Sequence, residues 1–328
     1  MPTLTLATPA DFDLARDCCS YGYFLLWPNF WDPGTRTLSR VLDVGGGPVG
    51  IVIAQREGAG SSLRLTLSRA VSAAERGELK RQVSRMLRLD EDADTIGEFH
   101  RVDPRWKRAG YGRLFRSPTF FEDVIKTVTS CNIQWPGTIE MNRRLCQVVG
   151  ERLVLPASRK GGAPLELHSF PSAAKMARTR PATLRARCRV GYRDARLVEL
   201  ARLFRSGKVD PAWFEDPATP EAEIHEALLE LPGVGPYAAA NILQLLGRYG
   251  RLPLDTESVR HGKTVLGFTG TSSQIMKRVH EHYAPFGEHA FRSYWFELWA
   301  YYESKHGKAS TWERETTGRM FTAALLAK

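Results

Sequence analysis

The chain has 328 residues, a length that predicts two compact domains, and its 43% hydrophobic and 25% charged residues are typical of a soluble globular protein. No apolar stretch is long enough to span a bilayer, and no secretory signal opens the sequence, so we expect a cytoplasmic protein with no membrane partner. The formal net charge is +10, unevenly spread: residues 1–100 hold 11 Lys/Arg and 13 Asp/Glu, whereas residues 101–328 hold 35 and 23. A polyanionic partner such as nucleic acid should therefore contact the second part.

The cysteines argue against a metal centre. They are odd in number, scattered and without a CxxC pair: Cys18, Cys19, Cys131, Cys146 and Cys188. Zinc sites, iron–sulfur clusters and disulfide frameworks need closer or paired spacing. We therefore predict reduced, mostly buried thiols and no cofactor, with no iron–sulfur cluster.

The first hundred residues carry strand patterns. Gly45–Pro48 and Gly58–Ser62 are turn signals between β-branched runs. A segment with helical spacing, Ser72–Leu87, follows. The predicted strands are Thr3–Ala7, Leu38–Val44, Val49–Ala54 and Leu63–Leu67. This pattern predicts a domain at residues 1–100, a small antiparallel sheet with one helix packed on it.

The remaining residues, 101–328, predict a helical domain and hence an α+β fold overall. Ser117 and Pro118 are typical of a helix start, and Ser158–Pro164 is typical of an exposed loop. Further helices are predicted at Met141–Val149, Ser172–Ala177, Asp194–Ser206, Pro220–Leu231, Pro236–Leu246, Gln274–Ala284 and Ala290–Lys305.

The most informative stretch is a pair of helices joined by a glycine-rich turn. Thr219 can cap a helix that begins at Pro220, and a second helix opens at Pro236. The turn between them is Leu231-Pro232-Gly233-Val234-Gly235. Val234 can pack into the core. The flanking glycines have no side chain, so the backbone can approach a phosphate closely at the N-terminus of the second helix. The alternative is a sharp helix–helix turn with no ligand.

An acidic residue follows the second helix. Asp255 comes 20 residues after Gly235, in the run Leu252-Pro253-Leu254-Asp255, and should start the next helix. Breaking an N-glycosidic bond gives the sugar oxocarbenium character, which a fixed carboxylate stabilises while it orients water. The alternative role is a helix N-cap, and one Asp can fill both roles because a cap holds the carboxylate rigid.

At these residues the chain resembles the helix-hairpin-helix-Gly/Pro-Asp superfamily of DNA glycosylases, nearest the 3-methyladenine DNA glycosylase II and 8-oxoguanine DNA glycosylase branches. The resemblance covers most of the chain. Its specific part is the hairpin followed by Asp255. Weaker similarity lies in Met86–Asp90, Phe121–Thr127, Ser130–Asn132 and Gly191–Arg196.

The resemblance implies a TATA-binding-protein-like N-terminal domain beside a helical body, and double-stranded DNA containing a damaged base as partner. It implies that Asp255 is the catalytic carboxylate of base excision repair, and that Gly233 and Gly235 grip phosphate with a bound monovalent cation. Bifunctional members carry a Schiff-base lysine where this chain has Tyr237, so we expect base hydrolysis without efficient lyase action.

Base flipping also needs a residue to fill the gap in the duplex and a pocket with aromatic walls. Asn132, Ile133 and Gln134 occupy the position of the family's wedge and are our candidates for filling the gap. Trp135 and Tyr237 are candidate walls, with core packing as their alternative. Trp295 and Trp299 lie four residues apart, a helical spacing that favours core packing.

Four functions remain open. The resemblance favours a monofunctional glycosylase acting on an alkylated purine, with 8-oxoguanine as the alternative lesion. A catalytically inactive damaged-DNA-binding protein and a lyase that uses another amine are the other two.

Overall fold

A computed structural model of the protein describes residues 1–56, 62–155 and 164–320. The predicted turn Gly58–Ser62 and loop Ser158–Pro164 lie, except for their last residues, outside the described residues. The strands are β1 (Thr3–Leu6), β2 (Phe30–Asp32), β3 (Thr37–Asp43), β4 (Pro48–Gln55), β5 (Leu63–Leu67), β6 (Arg152–Leu155) and β7 (Leu165–His168). The helices are α1 (Leu14–Cys18), α2 (Ala73–Leu87), α3 (Ala93–Val102), α4 (Phe120–Ser130), α5 (Trp135–Val149), α6 (Ala173–Arg178), α7 (Pro181–Thr183), α8 (Asp194–Arg205), α9 (Pro211–Glu215), α10 (Glu221–Leu229), α11 (Pro236–Leu245), α12 (Thr256–Thr264), α13 (Ser272–Tyr283) and α14 (Ala290–His306).

The first five strands form one antiparallel sheet in the order β1-β5-β4-β3-β2. Its register pairs Leu38 with Ile53 and Ile53 with Leu65, so apolar side chains line up across three strands. Helix α2 buries Leu79 and Val83 in the same apolar cluster. The predicted α+β fold, with an antiparallel sheet and a helix packed on it, is confirmed.

The two faces of the sheet pack on different elements. Leu38 and Leu42 of β3 belong to the main core, whereas Val41, on the opposite face, packs with Leu155 and Leu167 of the β6–β7 hairpin. A Cβ on Gly50 would lie 2.0 Å from the Leu155 side chain, so glycine permits this close approach. The hairpin from the helical part therefore covers the outer face of the sheet.

The helical part follows the predicted order, with corrections at several helix starts: α5 begins at Trp135 rather than Met141, and α13 begins at Ser272 rather than Gln274. Thr119, not Ser117, caps α4, since its hydroxyl accepts the Glu122 amide at 3.3 Å. Helix α10 begins at Glu221 with Pro220 as its N-cap residue, and the Thr219 hydroxyl instead donates to the Trp213 carbonyl. Within the described ranges, no helix combines the length and apolar character that crossing a bilayer requires.

Two large apolar cores hold the molecule together. One joins the sheet and α2 to α13 and α14, and the other joins α4, α5, α8, α10 and α11. The predicted division near residue 100 falls inside α3, and it stays a prediction.

Candidate functional site

A cavity of about 1130 Å³ opens where the segment before β2, the α10–α11 turn, the start of α12 and helix α14 approach one another. Its volume is slightly above the range typical of small-molecule sites. The cavity brings together most of the side chains proposed from sequence. The proposed residues that line it are Asn132, Ile133, Gln134, Trp135, Gly233, Gly235, Tyr237 and Asp255, while Leu231, Pro232 and Val234 complete the adjoining hairpin.

The hairpin turn is built as its sequence predicts. Leu231 and Val234 are buried, and the Val234 amide donates to the Leu231 carbonyl at 3.0 Å, which closes the turn. Gly233 has φ +84°, a left-handed conformation that favours glycine. A Cβ there would also lie 3.1 Å from Cδ of Arg196. The glycine at 233 is therefore required by the turn itself.

Gly235 differs, because the fold does not need a glycine there. Its φ is −106°, which any residue adopts, and a Cβ would meet no atom within 4 Å. It is the exposed N-cap residue of α11, and among the described residues the amides of Gly235, Tyr237 and Ala238 have no hydrogen-bond acceptor. These amides and the positive end of the helix dipole form an open surface suited to an anion.

Asp255 is the N-cap residue of α12, so the predicted helix start is correct. Its Oδ1 accepts hydrogen bonds from the amides of Glu257 at 2.9 Å and Ser258 at 3.1 Å. The side chain is partly accessible from the cavity that it lines. The capping role therefore exists and fixes the carboxylate at the cavity wall.

The charge of Asp255 is poorly compensated. Burial raises the pKa of Asp255 from 3.8 to about 6, against the opposing amide hydrogen bond from Ser258, and the negative charge of Glu257 raises it further. Within the described part of the chain, no Lys, Arg or His forms an ion pair with this carboxylate. Ionised Asp255 would therefore strongly favour a positive charge placed beside it.

Tyr237 lies close to this carboxylate, in the first turn of α11. Burial and the charge of Asp255 raise the pKa of Tyr237 well above 10, so its hydroxyl stays protonated. Its carbonyl accepts from Asn241 at 3.1 Å, and Asn241 in turn accepts from the Tyr21 hydroxyl at 3.3 Å. Tyr237 therefore supplies a neutral hydrogen-bond donor to this part of the cavity.

Glu257 also lines the cavity, but its negative charge is paired with the guanidinium of Arg260. Arg260 donates to it from Nε at 2.7 Å, and the Tyr302 hydroxyl donates at 3.0 Å. The Arg260 guanidinium lies 4.7 Å from the centre of the Tyr301 ring, which holds it in place. The two carboxylates of the cavity thus differ: Glu257 is paired, and Asp255 is not.

Aromatic rings form a large part of the cavity wall. Tyr21 and Trp295 lie 4.6 Å apart between ring centres, and Trp295 stacks on Trp299 at 5.3 Å. Both indole N–H groups donate to backbone carbonyls, Trp295 to Ser20 at 2.8 Å and Trp299 to Cys19 at 3.1 Å. These bonds fix rings on which a flat heterocycle can stack.

The predicted wedge segment lies between α4 and α5 at the mouth of the cavity. Asn132 has φ +52°, and Ile133 is 40% exposed. The Asn132 side chain donates to the hydroxyl of Tyr192, itself an exposed ring, at 3.2 Å. Trp135 begins α5 directly after this loop and packs so closely on Gly22 that a Cβ there would lie 3.2 Å from its ring.

Sequence reasoning missed several aromatic residues of the wall. It interpreted Trp295 and Trp299 as core, and they do pack in the core, but both also border the cavity. Tyr21 comes from near the start of the chain and Tyr302 from near the end of α14. The clusters of aromatic residues around positions 21–27 and 294–302 were the available signal.

The overall fold is similar to that of solved DNA glycosylases. A 3-methyladenine DNA glycosylase from Archaeoglobus fulgidus superposes with TM-score 0.62 at 17% identity, over 91% of this chain and 98% of that chain. The Clostridium acetobutylicum 8-oxoguanine glycosylase/lyase in its apo form gives TM-score 0.63 at 17% identity, over 90% and 95%. Its complex with DNA containing cytosine opposite 8-oxoguanine gives 0.61 at 18%, over 91% and 94%.

No protein-family model matches the sequence, and no curated protein matches it. The similarity to known proteins therefore lies in the structure, and it extends over about nine tenths of the chain. It confirms the resemblance at the level of the fold, which is similar to that of the solved 3-methyladenine and 8-oxoguanine DNA glycosylases.

Proposed function

We propose that this chain, which has the fold of DNA glycosylases, is itself a DNA glycosylase that hydrolyses the N-glycosidic bond of a damaged base flipped out of duplex DNA. The observation that carries the proposal is the position of Asp255. A carboxylate without an ion pair among the described residues lies in an aromatic cavity that also borders the acceptor-free amides of the Gly233–Gly235 hairpin. Such a site can hold a sugar-phosphate and its base at the same time.

The hairpin would bind the phosphate backbone of DNA. A phosphate beside Gly235 would accept hydrogen bonds from the free first-turn amides of α11 and meet the positive end of the helix dipole. The open space at Gly235 leaves room for its oxygens. This contact carries no sequence information, which suits an enzyme that searches all DNA for lesions.

Asp255 would act on the sugar. As the C1′–N bond breaks, its electron pair leaves with the base, and positive charge develops on the sugar ring. The unpaired carboxylate stabilises this charge and accepts a proton from the water whose oxygen adds to C1′. The products are free base and an abasic site, and this chemistry needs no cofactor. The cation that the family resemblance places at Gly233 and Gly235 stays a prediction.

The walls of the cavity favour an alkylated purine as the lesion. Alkylation at a ring nitrogen makes the base electron-poor and often cationic, and such rings stack well on Tyr21 and Trp295. The uncompensated negative charge of Asp255 also favours a cationic base. An 8-oxoguanine activity is the second candidate, because solved 8-oxoguanine glycosylases superpose as well as the 3-methyladenine enzyme does.

We infer that lyase action is weak. Among the described residues no lysine lines the cavity, and Tyr237 holds the position where the family's bifunctional members carry the lysine nucleophile. A phenol held protonated cannot form a Schiff base. The abasic product should therefore persist until another enzyme cleaves it.

The decisive experiment incubates purified protein with matched duplexes carrying alkylated purines, 8-oxoguanine or no lesion, and measures base release by alkaline cleavage. Asp255→Asn is the control variant, since Asn keeps the shape and can still cap α12. We expect release from an alkylated duplex, a loss of about a hundredfold or more in the variant, and retained duplex binding by both. Duplex binding without base release from any lesion would favour the inactive binding protein, and equal release by both proteins would refute the role of Asp255.

A further inference from the structure

Two buried arginines donate hydrogen bonds to the C-terminal end of α11, the helix whose N-terminal end forms the proposed phosphate site. Arg88 donates from Nη2 to the carbonyls of Gln244 at 2.7 Å and Leu245 at 2.9 Å. Arg116 donates from Nη1 to the same Leu245 carbonyl at 2.9 Å. These carbonyls lie in the last turn of the helix, where intrahelical partners run out: the Gln244 carbonyl also accepts the Gly247 amide at 3.0 Å, whereas the Leu245 carbonyl has no backbone donor among the described residues.

The same arginines are bonded to the framework on their other side. Nε of Arg88 donates to the Leu114 carbonyl at 3.2 Å, and Nε of Arg116 donates to the Arg85 carbonyl at 2.8 Å. Leu114 lies between α3 and α4, and Arg85 lies in α2. The two guanidiniums therefore bridge α11 to elements that precede the helical hairpin in the chain.

Ion pairing accounts for the burial of one arginine better than for that of the other. Burial opposes the charge of Arg88, but Tyr249 and Glu91, whose carboxylate lies 3.8 Å away, outweigh it and raise the pKa of Arg88. Arg116 has the half-exposed Asp90 at 3.4 Å, and burial together with repulsion from Arg88 lowers the pKa of Arg116 to about 9. Buried cations are costly unless hydrogen-bonded, so Arg116 in particular depends on the backbone carbonyls of α11 and of the framework.

We propose that Arg88 and Arg116 are positioning residues that set the placement of α11 from its C-terminus, so that its N-terminal amides meet a DNA phosphate. The proposal rests on the proposed function, because it requires the hairpin to bind DNA. Helix α11 has ten residues and spans about 15 Å at 1.5 Å per residue. Over this length a helix moves as a rigid rod, and a shift at Leu245 therefore displaces Gly235 and Ala238.

The arrangement also suits the helix dipole. Two cations lie at the negative end, and the positive end faces the site for the anion. The positive charges of the two arginines and the negative charge of a bound phosphate would therefore both interact favourably with the dipole of α11 in this orientation. Loss of a guanidinium should weaken phosphate binding at the far end, although neither arginine touches the phosphate surface.

The test compares Arg116→Gln with Arg113→Gln. Arg113 is equally buried and donates to the Glu91 carbonyl at 2.6 Å and to Asp11, but it does not contact α11. We expect Arg116→Gln to raise the Kd for a fixed duplex at constant salt by about fivefold or more relative to Arg113→Gln, the lower range of site-to-site coupling. Thermal unfolding of both variants confirms that each is folded under the binding conditions. Arg88→Lys, which keeps the charge but loses donors, replaces Arg116→Gln if the latter does not fold.

A double variant separates positioning from general damage. Gly235→Leu fills the open space over the amides without backbone strain, so it should block the phosphate directly. If Arg116 acts through the hairpin, Arg116→Gln has little further effect on Kd in the Gly235→Leu background. Equal Kd values for Arg116→Gln and Arg113→Gln, or additive effects in the double variant, would overturn the positioning role. An unchanged Kd for Gly235→Leu alone would instead refute the proposed DNA-binding mode.

Discussion

Asp255 and Ser258 hold each other through reciprocal hydrogen bonds at the start of α12. The Asp255 Oδ1 accepts the Ser258 amide at 3.1 Å, and the Ser258 Oγ accepts the Asp255 amide at 2.8 Å. The backbone bonds to the carboxylate use Oδ1 alone. The same interactions that begin the helix therefore orient an acid toward the cavity, which explains how a capping residue can also be proposed as a catalytic one.

The rate of base release should depend on the ionisation of Asp255. Its pKa of about 6 means that the carboxylate is lost as pH falls through that value, so the single-turnover rate should fall tenfold per pH unit well below it. The measurement is a pH profile of single-turnover release with saturating enzyme. A rate independent of pH between 4.5 and 7.5, values that bracket this pKa by about 1.5 units, would contradict the assignment.

Glu257→Gln provides the matched comparison for that profile. The negative charge of Glu257 raises the pKa of Asp255, and its removal also leaves Arg260 unpaired nearby. Both effects lower the pKa of Asp255, so the acid limb should move to lower pH while its shape is kept. A shift to higher pH would show that Glu257 acts on Asp255 in some other way.

Asp255→Asn should stabilise the protein at neutral pH. A folded-state pKa above the unfolded value means that folding disfavours the charged acid, so this cost is present above about pH 6 and disappears below about pH 4. Two pKa units correspond to nearly 3 kcal/mol, and because Asn caps a helix about as well as Asp, most of this cost should be removed by the substitution. We expect an unfolding free energy about 2 kcal/mol higher at pH 8, measured by urea denaturation, with the difference shrinking toward pH 4. A destabilised variant at pH 8 would contradict the burial of a charged acid.

Gly235→Leu should change the salt dependence of DNA binding. Each phosphate that a protein fully neutralises contributes about 0.9 to the slope of log K against log salt, and the positive end of a helix dipole carries about half an elementary charge. Blocking the hairpin amides should therefore lower the affinity and reduce the slope by about half a unit, measured by fluorescence anisotropy on undamaged duplex. An unchanged slope, with affinity also unchanged, would show that the hairpin amides do not face the backbone of DNA.

Tyr237→Lys should introduce covalent trapping. An amine at this position lies beside Asp255 and could attack C1′, forming a Schiff base that borohydride reduces. Wild-type protein should give no trapped complex on abasic duplex, and Tyr237→Phe serves as the control that lacks an amine. Efficient trapping of the wild type would identify it as a lyase that uses another amine.

Local patterns predicted much of the fold. Apolar and β-branched runs bounded by turn signals located β3 to β5, and the spacing around Gly233 located α10 and α11, because these signals are contiguous in sequence. Strand β2 has three residues, too few for a period to be visible, and β6 was not predicted either. Each pairs with the next strand in the chain, β3 or β7, and also packs on distant residues: the Trp31 indole donates to the Ser310 carbonyl, and Leu155 lies against Gly50.

The site was predictable only in its contiguous parts. The hairpin and Asp255 could be recognised because their residue types occur at short, fixed spacings in the sequence. Tyr21 and Trp295, by contrast, meet across 274 positions of sequence, and their contact follows from the packing of the core. The pairing of Glu257 with Arg260 likewise leaves Asp255 as the acid without an ion pair among the described residues, a difference that the sequence spacing does not show.

The core shared by the first sheet and α14 has a consequence for biosynthesis. Side chains such as Leu38 and Leu65 pack in one cluster with Phe296 and Trp312, which leave the ribosome more than 200 residues later. The sheet can pair its strands early and α2 can cover part of its apolar face, but the rest of that face stays uncovered until residue 312 has been translated. During that interval the nascent chain should be a client for chaperones, and ribosome stalling before α14 should leave it sensitive to protease.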